Sequence, residues 1–184
     1  EQCLSAAGVD NAPLDRVENV PANRDGTDWD FCWSGGPLDF VETLVAEAGE
    51  ESAPLTVWTP YWAQNVGKVM ERISEKRASS TGFDFYPDLV KGRRARMTEH
   101  QRDKLLGSPW KEAAHFFREP GNDSDRFSHA KVWLLGQTLA VGSWNFTDAA
   151  LGFGERANNI EAGIVSRGGE SARVVPSERE ELLL

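Results

Sequence analysis

The stretch Phe127-Ser128-His129-Ala130-Lys131-Val132-Trp133-Leu134-Leu135 reads as a strand. Its alternation puts His129, Lys131 and Trp133 on one face, with Ala130, Val132 and Leu134 behind them. An imidazole beside an ammonium is a poor way to fill a core. It is a sensible way to hold a phosphate, because a nucleophile or base then sits next to a fixed cation. Taken alone, the same pair would suit an exposed strand face equally well. A second block follows at Gly142-Ser143-Trp144-Asn145-Phe146-Thr147, between a predicted strand and a short predicted helix over 148–151. Gly142 permits a close backbone approach, and Ser143 and Asn145 supply short hydrogen-bonding side chains. Asn145 or Thr147 would cap the helix, whose first N–H groups favour an anion nearby.

Outward from these blocks, strands and helices alternate. Leu38, Val41, Leu44, Val45 and Ala48 recur at helical spacing, with Gly49 as a stop. Leu55 to Thr59 alternates like a strand that Pro60 ends, and Val66, Val69, Met70 and Ile73 mark a second helix. Phe83–Tyr86, Ala114–Arg118, Thr138–Val141 and Ile160–Val165 are further strand candidates, and Glu119 to Asp125 a polar turn. The expected fold class is α/β, a mixed β-sheet flanked by helices. Residues 1–36 read as a polar N-terminal arm or linker, 37–170 as the domain, and 171–184 as an acidic tail. Glu178 to Leu184 resembles the start of a helix in a chain that continues.

The charge arithmetic is 20 basic against 29 acidic residues in 184, a net −9, with 40% hydrophobic and 27% charged residues. These values suit one globular domain and disfavour indiscriminate adhesion to nucleic acid. No stretch approaches the roughly 18–20 apolar residues of a membrane span, and no signal-peptide pattern opens the chain. Two cysteines, Cys3 and Cys32, make no disulfide framework, so a reducing, cytoplasmic setting is expected. Lys91, Arg93, Arg94, Arg96, Arg102 and Lys104 form the one basic stretch, either a solvated face or a polyanion-facing rim. Trp58, Tyr61, Trp62, Trp133 and Trp144 could stack on a nucleic-acid strand, although each is better accounted for as core. The cysteines and histidines lack metal-ligand spacing, so neither metal nor cofactor is expected.

Together, His129-Ala130-Lys131 and Gly142-Ser143-Trp144-Asn145 resemble the phospholipase D superfamily, whose signature is His-x-Lys, an Asp five residues after the Lys, then Gly-Ser-x-Asn. Val57-Trp58-Thr59-Pro60-Tyr61-Trp62 and Asn159 to Val165 are similar to flanking strands of that family, so the resemblance spans roughly residues 37–166. It implies a phospholipase D-like sandwich and a metal-independent phosphodiesterase, a nuclease before a lipid enzyme. By this resemblance His129 forms a phosphohistidine, Lys131, Ser143 and Asn145 hold the phosphoryl oxygens, and Glu161 supports the imidazole. Arg94 and Arg96 are added as substrate contacts from the basic stretch. Neither His100 nor His115 is followed by Lys two residues on, so the chain carries one half-site. The second histidine is expected from a homodimer partner or a second half. Gly136 stands where the family has its Asp. Either the family's carboxylate is lost to the site, or Gly136-Gln137 is a turn that requires glycine. The alternatives are a degenerate nucleic-acid-binding or dimerisation module of a helicase or restriction-type protein, and a phospholipase or phosphatidyltransferase.

Overall fold

The computed structural model describes residues 29–34, 38–49, 52–77, 82–90, 94–118, 129–153, 159–167 and 180–182. In chain order these form β1 (Trp29–Trp33), α1 (Phe40–Ala48), β2 (Leu55–Thr59), α2 (Val66–Glu75), β3 (Phe83–Pro87) and the small hairpin β4 (Leu89–Val90) with β5 (Arg94–Ala95). Then come α3 (Glu99–Leu106), a 3-10 turn (Lys111–Ala113), β6 (Ala114–Arg118), β7 (Val132–Leu135), β8 (Thr138–Gly142), β9 (Ala162–Arg167) and β10 (Glu180–Glu181).

Eight strands make one mixed sheet in the order β1-β9-β8-β7-β2-β3-β6-β10. Strands β2, β3 and β6 run parallel, and the remaining pairings are antiparallel. The connections β1-α1-β2, β2-α2-β3 and β3-α3-β6 all step across the sheet in the same direction. Right-handed crossovers therefore bring all three helices onto one face. The core there joins Phe40, Val41 and Leu44 of α1, Val66, Val69, Met70 and Ile73 of α2 and Leu105 of α3 to alternate strand positions: Leu55, Val57, Phe83, Phe85, Phe116, Trp133, Leu135, Ala140 and Val165. On the second face the register aligns Phe31, Ile164, Val141, Val132, Trp58 and Tyr86 in one cross-strand row. That row is buried at Tyr86 and exposed at Val141, Ile164 and Phe31.

Local chemistry explains where the helices begin. Asp39 and Glu42 form a reciprocal capping box at α1, and Lys76 reaches both carboxylates at 2.7 Å, tying the end of α2 to the start of α1. Thr98 caps α3 with Gln101, whose Nε2 donates to the Trp62 carbonyl at 2.9 Å. Among the described residues no helix is long and apolar enough to cross a membrane.

Strands outside 37–170 join the sheet, β1 pairing with β9 at one edge and β10 with β6 at the other. Several expected elements need correction. Glu180–Glu181 is thus a strand where the start of a helix was expected. The strand expected over 127–135 begins only at Val132, and that expected over 160–165 runs from Ala162 to Arg167. No helix forms over 148–151. Thr147 accepts from the Ala150 N–H at 3.2 Å and caps a single turn, which Gly152 ends at φ 74°. Residues 1–28, the polar turn at 119–125, Phe127 and Ser128 lie outside the described residues.

Candidate active site

The parallel strands β2, β3 and β6 end at one edge of the sheet, where β7 and β9 begin and β8 ends. Ligands of open α/β sheets bind outside these carboxyl ends, where strand order changes sense. Here that place is the junction of antiparallel β7 with parallel β2.

His129 and Lys131 stand just before β7. His129 is exposed and Lys131 is 7% exposed. The Lys131 Nζ lies 2.8 Å from His129 Nδ1, 3.2 Å from Nε2 and 2.9 Å from the His129 carbonyl oxygen. An ammonium only donates, so the ring nitrogen that accepts from it is an unprotonated one, and the tautomer sets which of the two that is. Burial pushes the Lys131 pKa down, and the charge of Glu161 partly restores it. Trp133, two residues on, shares that face and is completely buried, stacked with Phe146 at 5.7 Å.

The Ser143–Asn145 segment lies beside this pair because Gly142 N–H donates to the Lys131 carbonyl at 3.3 Å. Ser143 Oγ accepts from Ala162 N–H at 3.0 Å and joins β8 to β9. The Trp144 indole lies over Gly142 and Gly163, where a Cβ on either residue would collide with it, and stacks on Phe40 at 4.0 Å. Its carbonyl accepts from Trp133 Nε1 at 3.0 Å. With its neighbours fixed so firmly, Asn145 has its Oδ1 buried and without a hydrogen-bond partner. A buried unsatisfied acceptor costs about 1–3 kcal/mol, and Asn145 Oδ1 is the one of five such atoms among the described residues that lies beside the His129–Lys131 pair.

Glu161 is buried at the start of β9. The expected bond from its carboxylate to the imidazole is not made: Oε1 accepts from Asn159 Nδ2 at 3.1 Å, and the ring nitrogens face Lys131 instead. Ser34, at the end of β1, clamps the Glu161 backbone by accepting its N–H at 2.7 Å and donating to its carbonyl at 3.1 Å. Asn159, Ser34 and β1 were missed in the sequence. The alternation Trp29-Asp30-Phe31-Cys32-Trp33 was the available signal for the strand.

Arg96 does not present an unpaired charge to a substrate. Its Nε donates to the buried carboxylate of Asp88, and its backbone N–H to the Asp88 carbonyl at 2.7 Å. Arg94 pairs with Val90 through the backbone of the β4–β5 hairpin, and its side chain lies outside the described residues, as do Lys91 and Arg93. His115 faces Glu181 at 3.2 Å on the far strand β6, three strand spacings or about 14 Å from β7. His100 is exposed in the first turn of α3.

Tyr61 completes the group. Its ring meets His129 edge to face, with centroids 5.9 Å apart, and is 47% exposed. Thr59 Oγ1 donates to the Tyr61 carbonyl at 3.0 Å and accepts from Phe146 N–H at 3.2 Å, locking the Tyr61 loop to the Asn145 loop.

No family model and no curated protein matches the sequence. Solved structures similar to the chain include NucT from Helicobacter pylori, at TM-score 0.46 and 10% identity, over 79% of this chain and 91% of that one. Yeast tyrosyl-DNA phosphodiesterase is similar at TM-score 0.45 and 11% identity, over 76% of this chain and 46% of its own. TrmBL2, an archaeal chromatin protein, is similar at TM-score 0.37 and 10% identity, over 94% of this chain and 55% of its own. The chain thus spans about half the length of the latter two.

Proposed function

We propose that this chain is a metal-independent phosphodiesterase acting on nucleic acid, with His129 as nucleophile. The carrying observation is the His129–Lys131 pair at 2.8 Å, set at the carboxyl edge of the sheet beside the Ser143–Asn145 loop. The joint motif of the sequence supports the same reading.

Without substrate, the ammonium occupies the imidazole lone pair. A phosphodiester is a charged and therefore stronger acceptor. On binding it draws Lys131 onto its non-bridging oxygens and releases the ring nitrogen. That nitrogen then attacks phosphorus: an N–P bond forms, a P–O bond breaks, and the leaving oxygen takes a proton from a second histidine. Water hydrolyses the phosphohistidine and returns the proton. Covalent catalysis divides one hard displacement into two easier ones. Asn145, turned about its last torsion, presents N–H groups to the same phosphoryl oxygens. Ser143 acts by holding that loop on β9, while Glu161 acts through Lys131. The second histidine belongs to a second copy of the chain.

The test is hydrolysis of bis-p-nitrophenyl phosphate and of single- and double-stranded DNA and RNA, with EDTA present throughout. The expected outcome is turnover that His129→Ala abolishes and that Lys131→Ala or Asn145→Ala lowers by roughly 10²–10³-fold, the size of a lost oxyanion donor. Turnover that survives in His129→Ala, or that EDTA removes from the parent, overturns the reading.

A further inference from the structure

We infer that Tyr61 is a stacking platform for a nucleobase adjoining the scissile phosphate, which makes the substrate an unpaired polynucleotide strand. This rests on the phosphodiesterase reading and deepens it.

The five aromatics that could have served a strand separate cleanly by burial. Trp133 and Trp144 are enclosed by Phe40 and Phe146. Trp62 packs against Phe85, Phe116 and Phe146. Trp58 is half-buried and stacked on Tyr86 at 4.6 Å. Of the five, Tyr61 alone is exposed, and it is the one in ring contact with His129.

The backbone on both sides of Tyr61 is held. Thr59 Oγ1 fixes the Tyr61 carbonyl, and Ala63 N–H donates to the Phe146 carbonyl at 2.7 Å. The loop is therefore tied on both sides of Tyr61 to the segment that carries Asn145. A half-exposed ring on a tied loop, in edge-to-face contact with His129, offers a flat apolar surface close to where phosphorus would sit. Each base of a polynucleotide hangs from the sugar next to its phosphate and has a π face, so stacking there suits any base without reading its identity. An acyl chain has no such face.

The experiment compares two oligonucleotides with the same linkages, one of which has a tetrahydrofuran abasic unit beside the cleaved bond. Tyr61→Ala is expected to raise KM on the complete strand roughly 10- to 100-fold, the weight of one base–aromatic stack. The abasic strand should be cleaved equally by parent and variant. Tyr61→Phe, which keeps the ring, should behave like the parent on both. An equal loss on both strands would mean that the ring merely positions His129, and no loss on either would remove any role; each result overturns the inference. If the parent cleaves neither strand, the phosphodiesterase reading fails by itself. Fluorescence anisotropy of the two strands with parent and Tyr61→Ala then decides the stacking: base-dependent weakening upholds it, and its absence overturns it.

Discussion

Lys131 is held in tension between burial, which favours its neutral form, and Glu161, which favours the ammonium. The proposed chemistry needs the ammonium, so activity falls as pH rises through the Lys131 pKa. Glu161→Gln removes the charge that, among the described residues, raises that pKa. The alkaline limb of the kcat/KM profile should therefore move to lower pH, and a pH–rate titration of parent and variant checks it. An unmoved limb would mean that Glu161 does not act through Lys131. The same displacement affects folding. With the folded pKa below the usual 10.5, the unfolded chain binds this proton more tightly. Lys131 thus destabilises the fold at neutral pH, and the cost lifts as pH rises from the folded value towards 10.5. At this scale the nearness of His129, Lys131 and Asn145 was legible, because chemistry and spacing coincide there. The sequence was not readable at Arg96, whose partner Asp88 is brought to it by a two-strand hairpin. Nor could it show that Asn159 would receive the carboxylate of Glu161.

Between β7 and β8 the chain reverses in two residues, Gly136 and Gln137, and Gly136 has φ 58°. Positive φ there is what a tight hairpin demands and what an L side chain resists. Gly136 also lies at the far end of β7 from Lys131, five residues or about 17 Å away at strand rise. A carboxylate at 136 would not reach the imidazole. Gly136→Asp should therefore destabilise by about 1 kcal/mol, lowering Tm by roughly 2–4 °C, with turnover unchanged. Thermal melting and the phosphodiester assay on one preparation check both halves. Elements whose ends carry local punctuation were legible there: Gly49 stops α1 and Pro60 follows β2, whereas the cap at Asp39 was not read. The missing helix after Thr147 was not, because one capped turn and a helix start look alike until Gly152 takes its left-handed conformation. Strand β1 went unread because its alternating signal spans only five residues and its partner, β9, lies about 130 residues away.

On the scale of the molecule, one end of the sheet gathers the imidazole of His129, the cation of Lys131 and the amide of Asn145. Of the three histidines, His129 stands at that edge, His115 on a distant strand and His100 exposed on α3. The proposed reaction still needs an acid for its leaving oxygen, and a twofold dimer would supply the same group twice across its axis. Sedimentation velocity at micromolar concentration should show a dimer, with specific activity falling as dilution drives dissociation. A fully active monomer would contradict this. The α/β class of the whole was legible from alternating patterns, but the wide antiparallel flank was not, since pairing of distant strands leaves no local trace. The one-sided placement of the helices reaches into the sequence itself. Along β1, β9 and β8, Cys32, Val165 and Ala140 belong to the core beneath α1, whereas Phe31, Ile164 and Val141 face away from it. A polar letter at any of the outward three would leave the fold standing, while the same change one position along would be felt by the helix. Fold maintenance thus dictates every second letter of those strands, and the intervening letters are left to record what the surface does.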